Sequence, residues 1–534
     1  MLRAAAVAAA GDRTEKVVIP IERHFITTGK RQMHVRRAGK GPPLVMLHQS
    51  PLSSADLVPV MQGLAGDFTC LAFDTAGYGH SDPLADPPQD GPEIADYAEA
   101  IVEALDAIGV QRFLLYGNHT GGCIAAELAR RHPGRVAACA LDGYVIFSPD
   151  EQRDLTANYT PSLAPRWDAT HLVWLWARIR HEYGWFPWHR SGEGMRVDVD
   201  LPSAQALHDR MIDWLRAGAP YFIGYKAAFR FDGAAVIRDV TVPTLLVTMR
   251  PDPLVVHLDR LPPLGPHMQV LRTGWERQEL IDRTRDFLRR HATGLPEPAP
   301  IVARPTEEPL WQSFLATGSA ALYALRGGTG EGNPLVLLHG AGESSAALRD
   351  LAAAANRPVI ALDLPGHGES SGPMPETVEA IAADVAAALR TAGIQGCDAV
   401  GHGFGAVVGA ALRRHLTIGR LVAVDGEPPS GADIAAARTI TPLWHGGHWM
   451  EAWHRCRDAG LYRPWYDRTR AASHDDLNAL APDTVHRRVV DLFKAGAAAE
   501  QAMRLHAQAG KPLADASVSS ATAGWRASVL KALR

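Results

Sequence analysis

Short apolar runs alternate along this chain with longer segments of helical periodicity. The runs LVML at residues 44–47 and LVLL at residues 335–338 contain no polar position, which is typical of strands buried on both faces of a sheet. Residues 94–109 and 378–393 instead repeat apolar side chains every three or four positions, and a glycine closes each segment. This alternation predicts an α/β fold, with a mostly parallel sheet flanked by helices.

The same pattern occurs twice, in the same order and with similar spacing. The segment FITTG at residues 25–29 returns as FLATG at 314–318, and DTAGYGHS at 74–81 returns as DLPGHGES at 363–370. A chain of 534 residues is also too long for one compact domain. Both observations indicate that one α/β unit was duplicated and fused.

The composition between the repeats sets the predicted domain boundaries. A proline-rich stretch separates the two copies. We interpret it as a semi-rigid linker, because proline removes backbone donors and disfavours helix in the residue before it. We predict three segments: a first domain at residues 17–293, a linker at 294–310 and a second, degenerate domain at 311–534. The alanine-rich residues 1–10 only faintly resemble a signal peptide, and an N-terminal extension is the favoured interpretation.

A segment rich in Trp, His and Arg interrupts each copy, at about residues 146–235 and 427–505. The two insertions match each other, since His171 corresponds to His448 and His208 to His486. Each follows the strand after the central turn, where a helical lid would cover the carboxyl edge of the sheet. The second copy has a shorter end and is expected to have lost most of its last two strands.

The central turn itself is a G-x-x-x-G motif between a strand and a helix. It reads GNHTGG at residues 117–122 and GHGFGA at residues 401–406. Both have the form of a nucleophile elbow, in which a sharp turn presents one side chain at its tip. The tip is His119 in the first copy and Gly403 in the second, so neither copy has a serine there.

These motifs, in this order and in both copies, resemble the α/β-hydrolase superfamily. Two further markers are HQSP at residues 48–51 and HGAG at 339–342, which match the family's oxyanion loop. In that family the elbow serine attacks, a distal histidine takes its proton, and an acid orients the histidine. Asp252 matches the acid position of the first copy. The distal histidine has no counterpart, since residues 273–276 read TGWE.

His119 is therefore the central candidate catalytic residue. Imidazole titrates near neutrality and can act as a base or a nucleophile without a serine, oriented by Asp252 or by Asp142. The resemblance implies oxyanion donors on the backbone of Thr120 and Ser50. It extends to a wider set of oxyanion-hole and substrate-binding candidates, which are Ser50, Gln49, Thr120, His48, Trp176 and Trp188. The other interpretation of His119 is a side chain that fills the space of a lost triad.

Composition and charge narrow the function class. The formal net charge is −4 and charged residues make up 21% of the chain, so nothing indicates a nucleic acid or a membrane as partner. The five cysteines are odd in number and show no CxxC spacing, which favours a reducing, cytoplasmic environment. The sequence contains no glycine-rich phosphate loop, so it implies no cofactor, and its histidines lack metal-ligand spacing.

Two functions remain open on this sequence. The first is an enzyme that uses His119 on a small organic substrate, by hydrolysis of an ester-like or C–C bond, or by a cofactor-free lyase or proton-transfer reaction. The second is a non-catalytic protein that binds a small molecule in the same pocket. The second domain would serve as an intramolecular pseudo-dimer partner, and a homo-oligomer is left open.

Overall fold

The computed structural model describes residues 18–533, except residues 86, 90, 193, 319, 475–478 and 522–523. The alanine-rich start of the chain, expected to be an N-terminal extension, lies outside the described residues. Among the described residues, no helix has both the length and the apolar character that crossing a bilayer requires. All five cysteines are buried and none is in a disulfide.

The first half is built on an eight-stranded sheet in the order β1-β2-β4-β3-β5-β6-β7-β8. Its strands are β1 (Glu22–Thr28), β2 (Arg31–Ala38), β3 (Pro43–Leu47), β4 (Thr69–Phe73), β5 (Phe113–Asn118), β6 (Val136–Asp142), β7 (Thr244–Met249) and β8 (Met268–Thr273). β2 pairs antiparallel with β1 and β4, and the other neighbours pair in parallel. Every residue of β3 and β4 is buried, and the unbroken apolar run at residues 44–47 predicts this for β3.

Helices cover this sheet, and five of them form an insertion between β6 and β7. The helices of the first half are α1 (Val58–Leu64), α2 (Ile94–Ala107), α3 (Thr120–Arg131), α4 (Pro149–Asn158), α5 (Thr170–Glu182), α6 (Ala204–Ala217), α7 (Phe222–Arg230), α8 (Gly233–Asp239) and α9 (Arg277–Arg289). The insertion consists of α4 to α8, which places helices beside the carboxyl ends of β5, β6 and β7.

The second half repeats this arrangement around a seven-stranded sheet in the order β15-β14-β13-β11-β12-β10-β9. Its strands are β9 (Leu310–Ala316), β10 (Ala321–Gly327), β11 (Leu335–Leu338), β12 (Val359–Leu362), β13 (Gly396–His402), β14 (Thr417–Val424) and β15 (Ala516–Val518). Within the described residues, only the three-residue β15 follows β14, whereas two six-residue strands follow β6. In the described residues, the second sheet thus has one short strand where the first sheet has two longer ones.

The helices of the second half follow the same plan. They are α10 (Arg349–Ala353), α11 (Val378–Thr391), α12 (Phe404–Leu412), α13 (Gly431–Ala436), α14 (Gly447–Asp458), α15 (Pro482–Ala495), α16 (Ala497–Ala509) and α17 (Trp525–Ala532). α13 to α16 form the insertion after β14, and α12 begins directly after the tip of the second elbow.

Equivalent residues of the two halves meet in a self-complementary way. His171 Nε2 lies 3.1 Å from His486 Nδ1, and His208 Nδ1 lies 3.2 Å from His448 Nε2. Since His171 is the counterpart of His448 and His208 that of His486, each pair is the image of the other. Phe25 also stacks on its own counterpart, Phe314, at 5.4 Å between ring centroids. The halves therefore associate like the protomers of a two-fold dimer.

Glu369 is a buried carboxylate at the boundary between the halves. It lies 2.6 Å from Lys494 of its own half. Three side chains of the first half also reach it: His80 at 3.0 Å, Arg216 at 3.4 Å and Arg23 at 3.5 Å. One acid thus joins cations from both halves, so its charge contributes to holding them together.

Candidate functional site

His119 occupies the tip of the first elbow, between the end of β5 and the start of α3. Its backbone has φ 49° and ψ −110°, a conformation that residues other than glycine rarely adopt. The turn is tight enough that a Cβ added to Gly117 would lie 2.2 Å from the carbonyl oxygen of Gly121. A Cβ on Gly121 would lie 2.1 Å from the carbonyl oxygen of Leu47. Both glycines are therefore needed to bring the tip to the edge of the sheet.

The imidazole of His119 is hydrogen-bonded to the acid that follows β7. Its Nε2 lies 2.7 Å from Oδ2 of Asp252, whose Oδ1 accepts a second bond from the backbone N–H of Leu254 at 2.8 Å. Asp142, the other acid expected near His119, instead accepts a hydrogen bond from the Tyr116 hydroxyl at 2.7 Å. Of the two candidate orienting acids, the structure joins Asp252 to the ring.

Burial and neighbouring charge shift the pKa values of all three groups. Burial lowers the pKa of His119, but the charge and hydrogen bond of Asp252 outweigh it and hold that pKa above its ordinary value of 6.5. Burial alone would raise the pKa of Asp252, but the charge and hydrogen bond of His119 outweigh burial and hold that pKa below its ordinary value. Burial and the charge of Asp252 raise the pKa of Asp142 to about 6.

Gly143 packs against one edge of the His119 ring. A Cβ at Gly143 would lie 2.3 Å from Cδ2 and 2.7 Å from Nε2 of His119. That contact and the Asp252 hydrogen bond occupy the Cδ2–Nε2 edge. The side chain is still 23% exposed and lines a cavity, which leaves the Nδ1 edge for a ligand.

Replacing Gly143 with alanine is expected to displace His119 and to lower both stability and any activity of the first domain. The backbone of Gly143 has φ +65°, which costs a non-glycine residue about 1–2 kcal/mol before the clash with the ring is added. The matched control is Gly134→Ala, in the same domain, where an added Cβ meets nothing within 4 Å. Urea denaturation and turnover of both variants check this. An alanine variant with wild-type stability and turnover would contradict it.

The cavity in front of His119 has a volume of about 380 Å³. The insertion supplies much of its wall, including Tyr183, Trp185, Phe186 and Arg210. Arg210 lies 3.8 Å from both Asp56 and Glu182, so the cationic wall group has two acids beside it. The cavity therefore combines an apolar surface with a few fixed charges, as small-molecule sites do.

The structure brings only some of the predicted binding residues to this cavity. Gln49, Ser50 and Thr120 line it. The backbone N–H groups of Ser50 and Thr120 donate to no loop or side-chain acceptor in the described part of the chain. The Gln49 side chain donates to Asp56 Oδ2 at 2.9 Å.

His48, Trp176 and Trp188 are not among the described residues that line the cavity, contrary to expectation. The His48 ring bridges backbone groups, at 2.8 Å from the Gln49 carbonyl oxygen and 3.0 Å from the Thr75 nitrogen. Trp176 donates to the Trp444 carbonyl oxygen of the other half at 3.2 Å. Trp188 donates to the Tyr159 carbonyl oxygen at 2.9 Å. These three side chains are thus held by hydrogen bonds to backbone groups and not by the cavity.

No second histidine reaches Asp252 within the described residues. His257 Nδ1 accepts from the backbone of Ile146 at 2.8 Å, and His267 Nε2 lies 2.9 Å from the Val240 carbonyl oxygen. His119 thus makes the hydrogen bond to the acid that a distal histidine makes in a triad. In the same part of the chain, no group of three or more His, Cys, Asp or Glu side chains is arranged to hold a metal ion.

The second elbow carries a cluster that the sequence analysis did not single out. Gly403 has φ 50° and ψ −116°, close to His119, but it offers no side chain. The preceding residue, His402, has Nδ1 2.7 Å from Glu343 and Nε2 3.5 Å from Asp425. Asp425 also accepts from the Ser520 hydroxyl. Glu343 stands in the oxyanion loop where the first copy has Leu52. This change from an apolar to an acidic residue is the sequence feature that could have pointed to the cluster.

Comparison with known proteins identifies the fold family of both halves. A family model described as the alpha/beta hydrolase fold matches residues 42–183, and one described as the alpha/beta hydrolase family matches residues 335–529. Together the two matches span more than half of the chain. Among solved structures, E-2-(acetamidomethylene)succinate hydrolase has a TM-score of 0.38 at 19% identity, covering 51% of this chain and 100% of that one. A thermophilic esterase from Thermogutta terrifontis has a TM-score of 0.37 at 17% identity, covering 51% and 100%.

Curated relatives match the chain over shorter lengths. A 2-hydroxymuconate semialdehyde hydrolase of Pseudomonas sp. (strain CF600) is 36% identical over 149 residues, which is 27% of this chain and 51% of that protein. Haloalkane dehalogenase 2 of Mycobacterium bovis (strain ATCC BAA-935 / AF2122/97) is 30% identical over 130 residues, 24% of this chain and 44% of that protein. The chain thus spans about half the length of these relatives. By fold, motif order and family match, it belongs to the α/β-hydrolase superfamily, with two such domains in tandem.

Proposed function

We propose that the first domain is an enzyme in which His119 acts as a general base on a small organic carbonyl compound. The observation that carries this proposal is the 2.7 Å hydrogen bond from His119 to Asp252 at the elbow tip, with the ring facing a cavity. When Asp252 accepts from Nε2–H, the neutral ring keeps its lone pair on Nδ1. That nitrogen is free to take a proton from water or from the substrate.

A hydrolytic cycle follows from these groups. His119 Nδ1 removes a proton from water, and the resulting hydroxide attacks the carbonyl carbon of an ester-like or C–C substrate. The carbonyl oxygen becomes negative and is stabilised by the N–H groups of Thr120 and Ser50. When the intermediate collapses, the protonated His119 returns the proton to the leaving group. A cofactor-free lyase or proton-transfer reaction would use the same base and the same donors on an enolate.

The cavity and the relatives support a small substrate. The wall is mainly apolar and aromatic, and we propose that the inserted helices α4 to α8 act as its lid. The curated relatives include a hydrolase of 2-hydroxymuconate semialdehyde and a haloalkane dehalogenase, both named for small organic compounds. Substrates of this size class are the first to test.

Two assays distinguish the proposed chemistries. Turnover of activated esters with short and aromatic acyl groups measures hydrolysis, and deuterium exchange into enolisable ketones measures proton transfer. Activity in either assay supports the proposal if it depends on His119. Absence of both activities, together with ligand-induced thermal stabilisation of the folded chain, would favour a non-catalytic binding protein. The missing serine at both elbow tips and the missing distal histidine are the observations that support this second function.

Replacing Asp252 with asparagine is expected to move the acid limb of the pH–activity profile to lower pH. In the wild type the base form of His119 appears as the pH rises through a pKa above 6.5. Without the Asp252 charge, burial lowers the pKa of His119 and only the more weakly acting Asp142 and Asp56 oppose it. The limb should therefore shift down by about 1–3 units, the usual effect of an opposite charge. The plateau rate should also fall, since asparagine does not fix the reactive tautomer.

The control for this prediction is Asp154→Asn, which removes a carboxylate 3.2 Å from His189, a histidine outside the cavity lining. Kinetics of both variants across the neutral pH range measure the shift. An unchanged limb in Asp252→Asn would contradict the assignment of His119 as the titrating base.

A further inference from the structure

The second domain has its own cavity at the position equivalent to the first. It has a volume of about 1150 Å³ and is lined by His402, next to the elbow tip, and by residues 346–350. Ala347 and Leu348 correspond there to Asp56 and Leu57 of the first cavity. The backbones match as well, since Ala347 donates to Ser344 and Asp56 donates to Ser53, each at 3.0 Å. The duplicated fold thus provides two equivalent pockets.

The lining of the second cavity has changed from apolar to basic. Arg463 stands where the first cavity has Phe186, since each residue precedes the matched proline of its insertion. His474 stands where the first cavity has Val197. An isolated β-bridge pairs Trp185 with Arg196 in the first half and Tyr462 with Ser473 in the second, and Val197 and His474 are the next residues. Both replacements line their cavity. An aromatic and a branched apolar side chain are thus replaced by side chains that donate hydrogen bonds.

Arg488 has kept its place but lost the acids that accompany its counterpart. Its counterpart, Arg210, lies 3.8 Å from both Asp56 and Glu182. The residues equivalent to these two acids are Ala347 and Ala459. Within the described residues, neither Arg463 nor Arg488 has a carboxylate oxygen within 4.0 Å. In the same part of the chain, Arg463 Nε donates to His474 Nε2 at 3.3 Å, and the terminal nitrogens of both guanidinium groups remain available to a ligand.

The remaining charges of the cavity do not compensate these arginines. Among the described residues, five arginines line the cavity against three carboxylates, and each of these carboxylates already has a partner. These pairs are Asp350 with Arg526 at 3.2 Å, Asp491 with Arg487 at 3.6 Å, and Glu343 with His402 at 2.7 Å.

His402, next to the elbow tip, is a cation whose charge is already balanced by Glu343 and Asp425. Burial lowers its pKa, but Glu343 and Asp425 outweigh burial and raise the pKa of His402 to about 10. The ring is therefore protonated at neutral pH. A protonated histidine cannot serve as the base that we propose for His119, so the two cavities differ in chemistry.

We infer that the second cavity is a binding site for a small molecule carrying two or more carboxylate or phosphate groups, held by Arg463 and Arg488. Planar guanidinium groups bind both kinds of anion through paired hydrogen bonds. The volume accommodates a ligand with several such groups rather than a single ion. The inference concerns the second domain alone and does not depend on the activity proposed for the first.

Isothermal titration calorimetry of the full chain at neutral pH and low salt tests this inference. Citrate is the carboxylate probe and pyrophosphate the phosphate probe, in separate titrations. We expect one of them to bind with one site per chain, and to bind more weakly as salt is added. The double variant Arg463→Gln/Arg488→Gln should weaken binding by about a hundredfold, since each of the two charge-assisted interactions contributes about a factor of ten.

Two further variants make the test specific. Ala347→Asp restores an acid beside Arg488, as in the first cavity, and should weaken binding without removing any arginine. Arg414→Gln/Arg438→Gln removes the same charge from two exposed arginines outside the cavity lining and should bind like the wild type. Circular dichroism establishes that each variant is folded.

The outcomes decide the inference in either direction. Binding of citrate alone assigns the site to carboxylates, and binding of pyrophosphate alone assigns it to phosphates. Binding of neither probe would overturn the inference. Binding that is equal in the wild type and in Arg463→Gln/Arg488→Gln would also overturn it, because the anion would then lie elsewhere.

Discussion

His119→Ala is expected to lower turnover by the first domain about 10²- to 10⁴-fold, the usual contribution of a positioned general base. The substitution removes the only imidazole that lies both against Asp252 and in the first cavity among the described residues. The oxyanion donors of Thr120 and Ser50 and the apolar wall remain, so substrate binding should change less than the rate. The expected signature is a loss in kcat with a much smaller change in KM.

The matched control for this prediction lies at the opposite end of α3. His119 directly precedes α3 and His132 directly follows it. The His132 side chain is 26% exposed and lies 3.1 Å from Glu99. His132→Ala therefore removes a similar histidine–carboxylate pair outside the cavity and should keep wild-type turnover. Equal turnover in wild type and folded His119→Ala would show that the chemistry does not use the elbow tip. The non-catalytic function would then be preferred.

Glu369→Gln is expected to lower the free energy of unfolding by about 3–5 kcal/mol, the usual cost of removing one partner from a buried charge cluster. The side chain of Glu369 is only 10% exposed. Without its charge, Arg216, His80 and Lys494 face one another across the boundary between the halves. Urea denaturation, followed by tryptophan fluorescence, measures the loss and shows whether the halves then unfold separately.

The pH dependence of this effect has a definite sign. Burial raises the pKa of Glu369, but Arg216, His80 and Lys494 outweigh it and hold the pKa well below the ordinary value of 4.5. A carboxyl with a lowered pKa contributes stability that is fully present above its ordinary pKa and is lost as the pH falls through the folded value. The difference between wild type and Glu369→Gln should therefore be full at neutral pH and shrink in strong acid.

An exposed glutamate provides the control for Glu369→Gln. Glu379 pairs with Arg414 and His415 on the surface, where ion pairs are screened by water and contribute little to stability. Glu379→Gln should leave the urea midpoint close to that of the wild type. A Glu369→Gln variant as stable as Glu379→Gln would mean that the cluster at the boundary does not hold the halves together.

The sequence by itself determined the fold, the duplication and the residue at each elbow tip. Apolar runs such as residues 44–47, the helical period of residues 94–109 and the glycine spacing around His119 are local properties of the chain. A strand buried on both faces, an amphipathic helix and a tight turn each depend on neighbours only a few residues away. The family's order of motifs also placed Asp252 among the candidate acids.

Only the tertiary structure decided which distant side chains meet. Asp252 rather than Asp142 bonds His119, because β6 and β7 end side by side and the Tyr116 hydroxyl already holds Asp142. Trp176 contacts the other half instead of the cavity, because the two insertions pack against each other.

The tertiary structure also assembled the charged cluster around His402 at the second elbow. His402, Glu343 and Asp425 come from three separate segments and meet at one edge of the second sheet. Such contacts depend on strand order and on how the halves associate. Neither is encoded in the local pattern of apolar and polar residues, and so the site chemistry required the folded chain.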